Sequence, residues 1–148
     1  MLDNRVLVGL LLVLALLGSP VVAEEDNLTL TVYVSGAQPG QGQALGALFN
    51  SAEQYLKQPL ARQTQPIDAN GSVIFQFDEL PAGTYAVTVI YDEDSNGELN
   101  TGLLGIPTEL VGMSNNAKGL FGPPSFEKTA FLLEESISID IVLSKANE

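Results

Sequence analysis

The chain has 148 residues, a formal net charge of −12 at pH 7, and neither cysteine nor histidine. Without cysteine there is no disulfide framework, and without histidine there is no Ser-His or Cys-His nucleophile, imidazole general base or typical zinc site. Because few cations are available to neutralise phosphates, the composition predicts neither nucleic acid nor a negatively charged lipid surface as a partner.

The first segment of the chain has the pattern of an export signal. Arg5 precedes an apolar run over residues 6–17, and the small residues that follow end at Ala23. We expect a signal peptide over residues 1–23 and one domain over residues 24–148, located in the periplasm or outside the cell and free of the membrane. An uncleaved anchor is the alternative, although the apolar run is short against the ~20 residues that span a bilayer.

Period-two alternation of apolar and polar residues dominates the rest of the chain. Such alternation is typical of strands with one buried face. The clearest predicted strands cover residues 28–34, 73–77, 85–91 and 137–143, and shorter ones cover residues 42–49, 61–67 and 129–133. The pattern predicts a single all-β domain, an immunoglobulin-like or transthyretin-like β-sandwich of about seven strands.

Turn and helix signals complete this prediction. Asn70-Gly71 indicates a tight hairpin between two strands, and residues 80–83 indicate a further turn. A two-turn helix is expected over residues 51–58, where Ser51 and Gln54 have the spacing of a capping box and Pro59 ends the helix.

Residues 101–127 show no sustained periodicity but contain many glycines, prolines and apolar residues. A disordered segment would be poor in apolar residues, and a long insertion without structure is unusual in a compact domain. We therefore expect an ordered, Ω-like loop that folds back onto the sandwich.

The segment DEDSNGELN, residues 92–100, places oxygen-bearing side chains at alternate positions around Gly97. This spacing is typical of loops that wrap around Ca²⁺, with glycine at the sharp turn. The twelfth position, where an EF-hand has a bidentate glutamate, is Leu103, and a strand precedes the loop, so the segment is not an EF-hand. The candidate ligands are Asp92, Asp94, Asn96, Glu98 through its carbonyl, Asn100 and, from the following loop, Glu109.

An incomplete set of oxygen ligands predicts weak Ca²⁺ binding, with Kd of about 10⁻⁴ to 10⁻³ M. Ca²⁺ is favoured over Mg²⁺ because a flexible mixture of side-chain and backbone oxygens suits the larger ion. The alternative is a solvated turn without metal, in which the Asp and Asn side chains accept hydrogen bonds from nearby backbone N–H groups.

Three elements of the chain resemble a known family: the strand GTYAV at residues 83–87, the acidic loop, and the run GIPTELVGMSNNAKGLFGPPSFEKTAF at residues 105–131. Together they are similar to the exported bacterial proteins grouped as domain of unknown function 2141. The acidic loop of that family often ends in Asp where this chain has Asn100. The segment DELPAGTYAVTVIYDEDSNG, residues 78–97, also resembles transthyretin-like and collagen-adhesin B-type sandwich modules.

The family resemblance includes the Gly/Pro-rich loop, which has two interpretations. Its polar and rigid apolar side chains form a ligand or partner surface, or its aromatic residues close one edge of the sandwich. The surface interpretation names Ser114, Asn115, Asn116, Phe121, Pro123, Pro124 and Phe126.

The leading functional hypothesis is an exported, non-enzymatic module with a Ca²⁺ loop, which presents the Gly/Pro-rich loop to a protein or carbohydrate. The first alternative is a carboxylate-based hydrolase of the glycoside type, and the second is a purely structural envelope subunit. The hydrolase would take its pair of carboxylates from Asp92, Asp94, Glu98, Glu109 and Glu127.

Overall fold

Alternating apolar residues form eight strands in the computed structural model, which describes residues 27–146. The strands are β1 (Leu28–Ser35), β2 (Gln43–Phe49), β3 (Ala61–Pro66), β4 (Val73–Leu80), β5 (Gly83–Asp92), β6 (Val111–Met113), β7 (Phe131–Leu133) and β8 (Ile137–Val142). The predicted all-β sandwich is confirmed, with one strand more than expected. The predicted signal peptide, residues 1–23, lies outside the described residues.

The strands form two sheets. One has the order β4-β1-β8, with β8 parallel to β1, and the other has the order β3-β2-β5-β6, with all neighbours antiparallel. Strand β7 pairs with the first three residues of β5. Strand β5 therefore contacts three partners and ends at Asp92, where the acidic loop begins.

The core lies between the sheets and follows the predicted alternation. On β1 the side chains of Leu30, Val32 and Val34 are buried, and Phe75 of β4 is fully buried. Gly46 of β2 makes room for this ring, because a Cβ atom at Gly46 would lie 3.0 Å from it.

A smaller apolar cluster covers the other face of β2 and β5. Phe49, Ala86 and Tyr55 are buried there, and Phe126 packs against them. The rings of Tyr55 and Phe126 meet edge to face with centroids 5.7 Å apart. Residues 50–60 and the single helical turn α1 (Phe126–Thr129) therefore close this face.

Two local predictions are wrong. Residues 51–58 form turns rather than a helix, although the N–H of Gln54 donates to the Ser51 hydroxyl as in a capping box. Burial of Tyr55 decides the path of this short segment. Asn70-Gly71 does not close a hairpin, because β3 pairs with β2 and β4 pairs with β1, so the connection passes from one sheet to the other.

The Gly/Pro-rich segment contains more regular structure than expected. An isolated bridge joins Thr101 to Pro107, β6 falls within residues 101–127, and α1 begins there at Phe126. The three-residue β6 is too short to show a period of two, which is why the sequence pattern does not reveal it. Within the described residues, no helix is long and apolar enough to cross a membrane.

Candidate metal centre

Asp92 is the last residue of β5 and its side chain is fully buried. One carboxylate oxygen, Oδ1, accepts the N–H of Asn96 at 3.0 Å, and Oδ2 accepts the N–H of Gly97 at 2.8 Å and the Gln43 amide at 2.6 Å. Gly97 has a φ of 82°, which few side-chain-bearing residues adopt. The loop therefore curls around the Asp92 carboxylate.

The surroundings of Asp92 keep its carboxyl group ionised. Burial acts to raise its pKa, but the hydrogen bonds from the Gln43 amide and from the N–H groups of Gly97 and Asn96 outweigh burial and lower the pKa below its usual value. A buried, ionised carboxylate whose hydrogen-bond donors are all neutral is suited to bind a cation.

Glu109 follows the 101–107 segment in the chain and connects the two ends of the acidic loop. It is buried, and its carboxylate accepts the N–H of Glu93 at 3.1 Å and the N–H of Asn100 at 2.9 Å. The side-chain amide of Asn100 also donates to it at 3.4 Å. Glu109, the ligand predicted to come from outside the loop, thus lies beside the loop.

The carboxylates of Asp92, Asp94 and Glu109 converge, with one oxygen from each lying within 4.8 Å of the others. Each accepts three hydrogen bonds. Because a carboxylate has about four acceptor positions, each retains capacity for a further partner. This donor set of hard, charged oxygens fits Ca²⁺.

The remaining predicted ligands take part in hydrogen bonds within the loop. Asn96 Oδ1 accepts the N–H of Glu98 at 2.8 Å, and Asn96 Nδ2 donates to Asn100 Oδ1 at 2.8 Å. Both amide groups also donate to Asp94 Oδ2. The Glu98 side chain is exposed. These residues shape the loop around Asp94.

Three further residues at the site are absent from the predicted set: Gln43, Glu93 and Gln41. Gln43 lies directly opposite Asp92 in the β2–β5 register, and Glu93 and Gln41 form a hydrogen bond of 3.0 Å at the rim of the site. The sequence carries no signal for Gln43, because the strand pairing alone brings it to Asp92. An open depression above the carboxylates is lined by Gln41, Glu93, Asp94, Asn100, Thr108 and Glu109.

The polar residues predicted as a partner surface have internal hydrogen bonds. The Ser114 side chain is fully buried, and its hydroxyl accepts the N–H of Val87 at 2.9 Å and donates to the Thr129 carbonyl. Ser114 therefore connects β5 to the end of α1.

Asn115 and Asn116 are exposed, but their side chains also hold backbone segments in place. The Asn115 amide donates to the carbonyls of Lys128 and Ala130, and Asn116 Oδ1 accepts the N–H of Val142 at 2.8 Å. Both asparagines have positive φ angles, which this residue type tolerates better than most.

The apolar members of the predicted surface divide between two roles. Phe121 is fully exposed and Pro123 is exposed, whereas Pro124 is buried and Phe126 packs in the small cluster with Tyr55. The exposed apolar part of the predicted surface is thus confined to the region around Phe121.

Ser114→Ala is expected to lower the free energy of unfolding by about 1 to 3 kcal/mol, because the buried N–H of Val87 loses its acceptor. Urea unfolding followed by circular dichroism measures this change. Ser138→Ala on the exposed face of β8 removes the same hydroxyl at a solvated site and should change stability little. Equal effects of the two substitutions would contradict a structural role for the Ser114 hydroxyl.

The fold and the site define a class: an all-β sandwich with an acidic loop at the end of one strand and a Gly/Pro-rich segment behind it. The family model described as "Uncharacterized protein conserved in bacteria (DUF2141)" matches residues 32–140. The chain belongs to this family. No curated protein and no solved structure matches the chain significantly.

Proposed function

We propose that the protein is an exported, non-enzymatic β-sandwich module that binds Ca²⁺ weakly through Asp92, Asp94 and Glu109. The single observation that carries this proposal is the convergence of these three carboxylates within 4.8 Å. Asp92 ends β5, Asp94 lies in the acidic loop and Glu109 lies two residues beyond the 101–107 segment, so the cation would join three pieces of chain.

Electrostatics favours a cation at this position. Two unit charges about 4 Å apart repel by about 1 kcal/mol in water and about 4 kcal/mol at an effective dielectric constant of about 20. No lysine or arginine lies between Arg62 and Lys118 in the sequence, so no basic residue close in sequence offsets this repulsion. A divalent cation would relieve it and strengthen the closure of the loop.

The expected affinity is low. One oxygen from each of the three carboxylates supplies fewer ligands than the six to eight that Ca²⁺ takes, so water or further loop oxygens would complete its shell. Ca²⁺ is favoured over Mg²⁺ because the ligands come from a loop and not from a rigid octahedral cage. A Kd of about 10⁻⁴ to 10⁻³ M suits extracellular modules.

The proposed role of the cation is structural. Glu109 and Asn100 lie at the two ends of the 101–107 segment and are hydrogen-bonded to each other. A cation bound by Glu109 would hold both ends and thereby order the Gly/Pro-rich region, which we propose contacts a protein or carbohydrate partner.

The buried carboxylate favours this function over a glycoside hydrolase. Hydrolysis by a carboxyl pair requires an acid with a raised pKa that reaches the substrate. Asp92 has a lowered pKa and no exposed surface, which suits a metal ligand. Glu127 lies in α1 and its pKa is also lowered, chiefly by its own backbone N–H and by Ser125.

Calcium titration of residues 24–148 tests the proposal. At ten times a Kd of about 10⁻⁴ M, Ca²⁺ adds about 1.4 kcal/mol of stability, which raises the melting temperature by roughly 4 to 8 °C. Glu109→Gln should remove most of this shift, because a neutral amide replaces a charged ligand. Differential scanning calorimetry measures the shift in melting temperature, and isothermal titration calorimetry gives the affinity for Ca²⁺.

Glu98→Gln is the matched control, because it makes the same change of charge in the same loop and leaves the Glu98 carbonyl in place. This variant should keep most of the calcium shift. A wild-type protein that shows no shift at several millimolar Ca²⁺ would refute the metal site.

A further inference from the structure

The segment between Asn100 and Glu109 forms a short hairpin that projects from the candidate metal centre. Thr101 and Pro107 form an isolated bridge, and the N–H of Gly102 donates to the Ile106 carbonyl at 2.8 Å. The N–H of Thr108 donates to the Asn100 carbonyl at 2.9 Å. The base of the hairpin is thus part of the acidic loop.

The tip of this hairpin exposes two leucines almost completely. Leu103 is 91 % and Leu104 is 96 % exposed. Leu104 has a φ of 63°, in the left-handed region that branched and bulky residues rarely adopt. A strained backbone that holds apolar side chains in solvent is a feature of interaction sites rather than of simple connections.

The tip of the hairpin is uncharged, and acidic residues lie on both sides of its base. From Leu99 to Thr108 the chain contains no charged residue, whereas Glu98 and Glu109 flank this stretch. The tip can therefore enter an apolar phase without desolvating a charge, and all of the acidity lies at the base.

We propose that this hairpin tip docks onto the surface of an anionic phospholipid bilayer, with Ca²⁺ at the base of the hairpin bridging to the lipid phosphates. The inference rests on the proposed calcium site. The overall acidity of the chain predicts repulsion from such a surface, but a cation bound at the base offsets that repulsion where the hairpin meets the lipid.

The geometry of the site explains why lipid is favoured as the occupant. Asp92 and Glu109 are buried while Asp94 is exposed, so the cation would have a protein side and an open side. Three carboxylates leave coordination positions of Ca²⁺ that phosphate oxygens can take. A bilayer interface also accepts a protruding apolar tip without a complementary pocket, which a protein partner would have to provide.

Vesicle sedimentation tests the inference. Residues 24–148 are mixed with vesicles of equal parts phosphatidylglycerol and phosphatidylcholine, in millimolar Ca²⁺ or in excess chelator. We expect co-sedimentation only with Ca²⁺, and at least a roughly tenfold weaker association for the double variant Leu103→Ser/Leu104→Ser. Vesicles of phosphatidylcholine alone should retain much less protein.

A second exposed apolar pair supplies the matched control. Leu120 and Phe121 are as exposed as the two leucines but lie outside the segment flanked by Glu98 and Glu109. The variant Leu120→Ser/Phe121→Ser should bind the vesicles like the wild type. Equal loss in both double variants, or equal binding in chelator, would overturn the docking of this hairpin.

Calorimetric Ca²⁺ titration without vesicles separates the two proposals. If the protein binds Ca²⁺ in solution but does not sediment with the vesicles, lipid docking is wrong and the calcium site stands. If the protein binds no Ca²⁺ either in solution or with vesicles, the calcium site is refuted. Lipid docking that depends on this site is then refuted as well.

Discussion

Asp92→Asn is expected to lower the free energy of unfolding by about 2 to 4 kcal/mol at pH 7 and to abolish stabilisation by Ca²⁺. The buried carboxylate accepts hydrogen bonds from Asn96, Gly97 and Gln43. An asparagine amide would place N–H groups opposite some of these donors and leave buried groups unpaired. Urea unfolding without and with Ca²⁺ measures both effects.

The pH dependence of this variant follows from the direction of the Asp92 pKa shift. Because the folded pKa is lowered, the stability from ionised Asp92 is complete above the unfolded pKa of about 4 and is lost as the pH falls through the folded value. The stability difference between wild type and Asp92→Asn should therefore stay constant from pH 7 to about 5 and narrow below about 4.

Asp140→Asn is the control for charge, since Asp140 is exposed on β8. It should change stability by less than about 0.5 kcal/mol at pH 7. A wild-type advantage over Asp92→Asn that persisted unchanged below pH 3 would contradict a stabilising role for the ionised carboxylate.

Phe75→Ala is expected to cost about 3 to 5 kcal/mol, a large share of the 5 to 15 kcal/mol that keeps a small domain folded. The ring is fully buried between the sheets and occupies the space left by Gly46, so its removal leaves a cavity that Gly46 cannot fill. Chemical unfolding and the melting temperature measure the loss.

Ile74→Ala provides the control on the same strand. Ile74 is the neighbour of Phe75 but faces outward and is 54 % exposed. Its truncation should cost less than about 1 kcal/mol. Similar costs at the two positions would mean that the faces of β4 are assigned wrongly.

The long Gly/Pro-rich segment is held in place by polar side chains as much as by apolar ones. Glu109 anchors its first part to the acidic loop, and Ser114, Asn115 and Asn116 anchor its middle to β5, α1 and β8. Because these bonds are made to backbone groups, the segment can lack a regular period and still follow a defined path.

Local periodicity is sufficient to predict the main strands. On β1, β4 and β5 a buried face repeats every second residue, and the predicted inward residues such as Leu30, Phe75 and Val87 are buried. On β8 the alternation is present, but of its predicted inward residues only Ile141 is fully buried. The all-β class follows from the same pattern, because a strand exposes one row of side chains to each side. The spacing around Gly97 likewise indicates the acidic loop from a few consecutive residues.

Strand partners and long-range contacts do not follow from local patterns in the sequence. Asn70-Gly71 joins two sheets instead of closing a hairpin, and Tyr55 is drawn onto the outer face of β2 and β5. Register alone brings Gln43 to Asp92, and folding of the 101–107 hairpin brings Glu109 to the same carboxylate cluster. The physical reason is that alternation specifies which face of a strand is buried, whereas pairing depends on contacts between residues far apart in the chain.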